Sequence, residues 1–286
     1  MNKGILIFAH NNRQVDYSLM SLISGGLAKK HLNCPVSLVT DESTADWMKE
    51  SNIYGRAESV FDKIILTERP VSNNSRVLYD GDIKGTVSFN NTNRDTAWNL
   101  TPYERTLLID ADFFILSNNL NDYWDLDSDL LLSESINDAV SDTRLGYLDK
   151  YVSETGVKMY WATAIMFTKN EKTKAFFDTV NMIKENYEMF ADIYRFNHLL
   201  YRNDIAFSIA KHIFDGFTEI TSYNLPSILT FSDKDILEKI DDTGLIFLAS
   251  EKFDDNYFPV RVKNQDVHIM NKQSITRNHE NLLEIL

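Results

Sequence analysis

The chain has 286 residues, 43% of them hydrophobic and 12% aromatic, which is ample material for a packed core and unlike a disordered polymer. Its 29 Lys and Arg stand against 42 Asp and Glu, a formal charge of −13 that argues against a general electrostatic grip on nucleic acid. The single cysteine, Cys34, excludes an internal disulfide and makes a reducing compartment the default, and no run approaches the roughly 18 apolar residues a membrane helix needs.

The first ten residues hold a short apolar run without a small-residue cleavage site, so they read as a first strand over 5–9 and not as a signal peptide. A soluble, cytoplasmic protein is the expectation. Residues 16–31 place Met20, Ile23 and Leu27 at helical spacing, with Gly25 and Gly26 a weak point inside. A second strand over 36–40 ends at Asp41, and a short helix over 43–51 follows with Ser43 as its N-cap. A third strand spans 61–67. Strand, helix, strand, helix, strand within 67 residues predicts a parallel, doubly wound half.

Residues 68–93 are rich in Asn, Ser, Gly and Asp and read as an irregular loop, followed by a helix over 92–100 that Pro102 stops. Residues 107–116 then form an apolar run of ten interrupted only by Asp110 and Asp112. It is short for a helix and rich in β-formers, hence a buried strand with both carboxylates on one side. Buried carboxylates need a cation or donors to answer them, and such a pair makes a pincer for a hard divalent metal. The competing reading is a strand end whose aspartates cap the next turn. From Asp110 to Asp142 there are nine acidic residues and no Lys or Arg. Asp122, Asp125, Asp127 and Asp129 have calcium-loop spacing but lack its glycine and closing Glu, so they read as a solvated turn. Further strands are expected over 129–133, 158–168, 245–249 and 267–270. Amphipathic helices are expected over 171–190, with Phe176, Val180, Ile183 and Tyr187 on one face, and over 203–214. With no repeat, low-complexity tract or linker, one compact domain over 1–286 is the simplest organisation.

The order of elements and the segment Pro102-Tyr103-Glu104-Arg105-Thr106-Leu107-Leu108-Ile109-Asp110-Ala111-Asp112 resemble the GT-A fold of nucleotide-sugar glycosyltransferases, notably the glycogenin-like and galactosyltransferase-like group. The resemblance covers residues 1–135 well and only three later patches beyond. It implies an α/β, Rossmann-like, mostly parallel mixed sheet flanked by helices, with a nucleotide-binding half over 1–135 and an acceptor-binding half over 136–286. It also implies transfer of a sugar from a nucleotide-diphosphate donor, a UDP-sugar favoured, to an acceptor hydroxyl, with retention of configuration favoured. Breaking the glycosidic bond builds charge on the diphosphate, and Mn²⁺ or Mg²⁺ would neutralise it.

By this resemblance Asp112 is the main metal ligand, with Asp110 sharing the metal and touching the ribose beside Ala111. His268 is the third ligand, or else a satisfied structural histidine beside its strand, and Lys272 a diphosphate contact, although the family's Gly between them and its slightly later Lys are both missing here. Ala9, His10 and Asn11, in the 9–13 loop, fall where the base and ribose bind. Asp41 contacts the base or caps a helix. Arg94 holds the diphosphate or donor sugar, unless it is a solvated side chain on an exposed helix. Ser133 and Glu134 fall among donor-sugar contacts. Trp161 stacks on a sugar face or belongs to the core. Asp204 helps hold the reacting sugar or acceptor, or caps its helix together with Asn203.

Rival readings are a sugar-phosphate nucleotidylyltransferase, whose first loop is Gly-rich where this one has no glycine, and a non-catalytic sugar-nucleotide-binding module. A haloacid-type phosphatase carries its Asp-x-Asp near the first strand, unlike this chain. The acceptor is a glycan, a protein or a hydroxymethylated DNA base, the last only if Arg13, Lys29, Lys30, Arg69 and Arg76 gather on one face. No membrane partner is expected.

Overall fold

The structure, a computed structural model, describes residues 2–12, 14–70, 74–80, 83–197, 199–218, 223–241, 244–251 and 256–286. The N-terminal part follows the expected alternation: β1 (Lys3–Phe8), α1 (Tyr17–Leu32), β2 (Val36–Asp41), α2 (Glu42–Glu50), α3 (Tyr54–Val60) and β3 (Lys63–Thr67). β2 is buried along its whole length and β1 at every residue but the first, as befits strands covered by helices on both faces. Asp16 starts α1 by accepting the Leu19 amide at 2.9 Å. Gly25 and Gly26 are close-packing points of α1. A Cβ on Gly25 would lie 2.8 Å from the Phe61 ring, and one on Gly26 2.7 Å from Leu286.

α2 begins one residue earlier than expected, because Asp41 and not Ser43 is its N-cap, accepting the Thr44 amide at 3.0 Å. The segment expected to be an irregular loop contains an antiparallel hairpin, β4 (Ser75–Asp80) and β5 (Ile83–Ser88), pairing Arg76 with Val87. Its solvated outer face explains the polar composition that hid it. The expected helix over 92–100 is a 3₁₀ turn at Arg94–Thr96 followed by one turn of helix, α4 (Ala97–Leu100).

The long strand expected around the two aspartates is instead two strands. β6 (Arg105–Ile109) ends before Asp110, and β7 (Phe113–Phe114) belongs to another sheet. Between them Asp110–Asp112 make a turn, closed by a hydrogen bond from the Phe113 amide to the Asp110 carbonyl at 3.2 Å. A ladder buried on both faces gives a carboxylate neither water nor donors, so the strand stops where the carboxylates start.

The rest of the chain comprises β8 (Leu130–Ser133), β9 (Ile136–Asp138), β10 (Trp161–Thr168), α5 (Glu171–Glu185), α6 (Tyr187–Tyr194) and α7 (Asn203–Phe214). After them come β11 (Ile228–Phe231), β12 (Ile236–Asp241), β13 (Gly244–Ala249), β14 (Phe258–Val262), β15 (Val267–Ile269), α8 (Lys272–Arg277) and α9 (His279–Glu284). The single amphipathic helix expected over 171–190 is broken at Asn186, which ends α5 and starts α6. Its expected apolar face of Phe176, Val180, Ile183 and Tyr187 is buried throughout. β10 begins at Trp161, three residues later than expected.

The central sheet has the order β3-β2-β1-β6-β10-β8. β3, β2, β1 and β6 run parallel, whereas β10 is antiparallel to both β6 and β8. This is a mixed, mostly parallel α/β sheet flanked by helices, the expected class. A second sheet, β7-β15-β11-β9, lies beyond the end of β6 and brings the C-terminal part of the chain to the turn after it. Among the described residues no helix is long and apolar enough to cross a membrane.

Candidate active site

In open α/β sheets, ligands collect at the carboxyl ends of the parallel strands. Here that end of β6 carries the 110–112 turn, and beside it opens a cavity of about 450 Å³. The turn contributes Asp110, Ala111 and Asp112 to its wall. β15 pairs antiparallel with β7, setting His268 opposite Phe113, and the Ile269 amide donates to the Asp112 carbonyl at 3.0 Å. His268 Nε2 thereby comes within 3.4 Å of Asp112 Oδ1. One ligand-capable atom from each of Asp110, Asp112 and His268 lies within 4.8 Å of the others. The two carboxylates suit a hard divalent cation such as Mn²⁺ or Mg²⁺, and the imidazole nitrogen favours a transition metal such as Mn²⁺ over Mg²⁺. The His268 Nδ1 is buried without a hydrogen-bond partner among the described residues.

Each aspartate also has a protein cation. Arg94 donates to Asp110 and, through its other terminal nitrogen, to the Ala162 carbonyl. Arg94 is therefore not the solvated side chain of an exposed helix. Its burial pushes the guanidinium pKa down to about 10. Lys272, the first residue of α8, places its ammonium 2.5 Å from Asp112 Oδ2. Burial works against ionisation of the Asp112 carboxyl, but Lys272 and His268 outweigh it and hold the group below the usual carboxylate range. Burial likewise opposes the charge on Lys272, and Asp112 reverses the effect, leaving the ammonium harder to deprotonate than usual.

α7 adds Asn203 and Asp204 to the wall of the same cavity, with Arg202 just before it. Asp204 accepts the Ala162 amide at 2.9 Å and lies 3.2 Å from Arg202. The helix-cap explanation for Asn203 and Asp204 is excluded, because α7 starts without a side-chain cap. Trp161 lines the same cavity and is only 5% exposed, so it is at once a wall and a core residue.

Other expected positions lie elsewhere. Ala9, His10, Asn11 and Asp41 come together at the end of β1, but none lines the cavity. His10 Nδ1 is 2.8 Å from Asp41 Oδ2, its amide donates to Asn91 Oδ1 at 2.8 Å, and its Nε2 is 3.3 Å from Asn93 Nδ2. The Asn11 side chain accepts from the Ser18 amide and donates to Asp16, while the Ala9 carbonyl accepts from Thr40. Asp41 thus both caps α2 and braces His10. Glu134 pairs with Lys158 in an adjoining hollow of about 380 Å³, which meets the main cavity only at Asp149. Ser133 is buried in the sheet, its hydroxyl donating to the Ala164 carbonyl at 3.2 Å. Of the five basic residues, the four described ones are engaged separately: Lys29 pairs with Asp62, Lys30 donates to the Ile285 carbonyl, Arg69 holds Ser43, and Arg76 lines the cavity. Arg13 lies outside the described residues.

Asp149 and Arg76 are wall residues that the sequence did not single out for the site. Asp149 sits in a 3₁₀ turn with no local pattern to mark it. Arg76 was named only as one of five basic residues, and the short apolar run Val77-Leu78-Tyr79 that marks its strand is masked by Asn- and Gly-rich flanks.

No family model matches the sequence, and no curated protein matches it. Solved structures similar to it include the apo-form glycosyltransferase GlyE of Streptococcus pneumoniae TIGR4, 12% identical with a TM-score of 0.42 over 74% of this chain and 43% of GlyE. They also include the galactosyltransferase LgtC in complex with donor and acceptor sugar analogues, 14% identical with a TM-score of 0.43 over 72% of this chain and 69% of LgtC. A third is S. aureus TarS 1-349, 18% identical with a TM-score of 0.37 over 73% of this chain and 55% of that one. The chain thus spans less than half the length of the first of these structures.

Proposed function

We propose that this chain is a GT-A-type glycosyltransferase that moves a sugar from a nucleotide-diphosphate donor, a UDP-sugar favoured, to an acceptor hydroxyl on a glycan, a protein or a modified DNA base. The observation that carries the reading is the convergence of Asp110, Asp112 and His268 to within 4.8 Å at the end of a parallel strand, on the wall of a cavity of about 450 Å³. In this reading residues 1–135 form the nucleotide-binding half and 136–286 the acceptor side.

Asp110, Asp112 and His268 would hold Mn²⁺ or Mg²⁺, which when bound neutralises charge on the diphosphate leaving group. Arg94 fixes Asp110 from behind, its two terminal nitrogens shared between that carboxylate and the Ala162 carbonyl. Lys272 stands in the same wall and offers its ammonium to a phosphate oxygen. Asp204 is anchored by the Ala162 amide and positioned to accept from a sugar hydroxyl, with the Trp161 face beside it. A retaining course is the one the resemblance favours; of the cavity carboxylates, Asp110, Asp112 and Asp204 each already hold a cation and are not free to take the acceptor proton that an inverting course must remove. Asp149 is the exception among the cavity carboxylates, its Oδ2 accepting the Gly146 amide at 2.7 Å.

The test is hydrolysis of UDP-, GDP-, ADP- and CMP-sugars with and without Mn²⁺. Release of one nucleotide in a metal-dependent manner is expected, and Asp112→Ala should reduce it about a hundredfold or more. Nucleotide binding without turnover for every donor would leave a binding module instead.

A further inference from the structure

The cavity wall carries four side chains that are cationic at neutral pH: Arg76, Arg94, Arg202 and Lys272. Three have carboxylate partners, Arg94 on Asp110, Arg202 on Asp204 and Lys272 on Asp112. Arg76 has none among the described residues. Its guanidinium lies 3.5 Å from the centroid of the Phe89 ring, a stacking contact that fixes its plane and leaves its N–H groups without a carboxylate. Arg76 is half-buried, and a guanidinium partly withdrawn from water without a counter-charge is unfavourable; burial lowers its pKa from the ordinary arginine value. Arg76, Asp112 and Asp204 line the same cavity, and both carboxylates act on Arg76 electrostatically without pairing with it.

The hairpin that carries Arg76 is fixed at both ends. The Tyr201 amide donates to Asn74 Oδ1 at 3.2 Å just before β4. At the other end Arg277 of α8 grips both oxygens of Asp80, and Asn271, the cap of α8, donates to Asp80 at 3.2 Å. Lys272 is the first residue of that same helix. The hairpin and α8 are therefore joined by one carboxylate, and each sends a cation into the same cavity.

We infer that Arg76 is an anion-binding residue of this site, forming with Lys272 a two-cation clamp on a diphosphate that lies between the hairpin and the 110–112 turn. The inference rests on the reading that the cavity takes a nucleotide-diphosphate ligand, and it adds a residue from the hairpin to that site. Phe89 is the platform that holds the Arg76 guanidinium in plane, and Asp80 is a positioning residue that keeps the two cations in register.

The experiment titrates the full chain with inorganic pyrophosphate by calorimetry, without nucleotide or sugar, at several salt concentrations. The proteins are the wild type, Arg76→Gln, Arg76→Lys and, as a surface control, Arg56→Gln. Thermal unfolding checks that each is folded. Arg76→Gln should lose about tenfold or more in pyrophosphate affinity and show a shallower salt dependence, because one charge-assisted contact is gone. Arg76→Lys should fall between it and the wild type, and Arg56→Gln should match the wild type. Arg76→Gln should unfold no earlier than the wild type, since no carboxylate partner is lost. A pyrophosphate affinity in folded Arg76→Gln within twofold of the wild type overturns the inference, as does a wild type that binds no pyrophosphate. Metal-dependent hydrolysis of a nucleotide sugar by the wild type would stand in either case, so the two readings fail separately.

Discussion

The Lys272 ammonium and Asp112 Oδ2, 2.5 Å apart, join the first residue of α8 to the turn after β6. Both side chains are at least 90% buried, so neither charge is screened by bulk water. Asp112 is also the carboxylate best placed, beside His268, to take a divalent cation. Ammonium and metal therefore compete for one carboxylate, and a bound cation frees Lys272 for a phosphate.

Lys272→Met tests that competition directly. Without metal the variant should be destabilised by about 3–5 kcal/mol, the cost of a buried carboxylate that has lost its partner. Mn²⁺ should restore most of the loss, and the variant should bind Mn²⁺ more tightly than the wild type. Thermal unfolding with and without Mn²⁺, with calorimetric titration of the ion, reads both. Equal Mn²⁺ affinity in the two proteins would show that the ammonium does not compete.

The Asp80–Arg277 pair makes stability at low pH depend on the hairpin. The Arg277 hydrogen bonds hold the Asp80 carboxyl below the usual carboxylate range, despite an opposing contribution from burial. A group with a depressed folded pKa stabilises fully above its unfolded pKa, about 3.9, and loses that contribution as pH falls through the folded value. Asp80→Asn should therefore lower stability at pH 7 and leave it nearly unchanged at the lowest pH where the protein still folds. Hydrogen exchange should show faster opening of residues 75–80 and 83–88 at neutral pH in the variant. Identical exchange in the two proteins would mean that this pair does not hold the hairpin.

Gly4 in β1 faces the Tyr103 ring so closely that a Cβ would lie 2.5 Å from two of its atoms. The ring cannot retreat freely, because its hydroxyl is hydrogen-bonded to Ser37 at 2.7 Å inside the sheet. Gly4→Ala should cost about 1–3 kcal/mol of stability by overpacking. Adding Tyr103→Leu should recover part of that loss, a non-additivity that chemical denaturation measures. Simple addition of the two single effects would show that the clash is relieved elsewhere.

Cys34 is 5% exposed, and burial pushes its thiol pKa up to about 11. At pH 8 only about a thousandth of the native thiol is ionised, against roughly a quarter of an ordinary one. A thiol-specific disulfide reagent should label it quickly in urea and at least a hundredfold more slowly in the native state. Rapid stoichiometric labelling of the folded protein would contradict this environment.

Local spacing by itself determined the parallel half of the molecule. The apolar runs at 5–9 and 36–40, the Asp16 cap and the amphipathic pattern ending at Tyr187 each report their own surroundings through periodicity. The pair Asp110 and Asp112 also stood out at once, since two carboxylates in a run of buried residues need a reason to be there. That they sit in a turn and not along a strand was less legible, because the ten-residue run has no glycine or proline to mark the break.

Only the tertiary structure decided who answers those carboxylates. His268 reaches Asp112 through the pairing of β15 with β7, Arg94 reaches Asp110 from a 3₁₀ turn, and Arg76 enters the cavity from a hairpin whose composition resembled a loop. The same long-range packing closed Ala9, His10, Asn11 and Asp41 into a hydrogen-bonded network beside the cavity and drew Glu134 away to Lys158. Periodicity records which face of a segment is buried. Which distant charge meets which is chosen by the pairing of strands and the cost of leaving any buried charge alone, and that choice belongs to the chain as a whole.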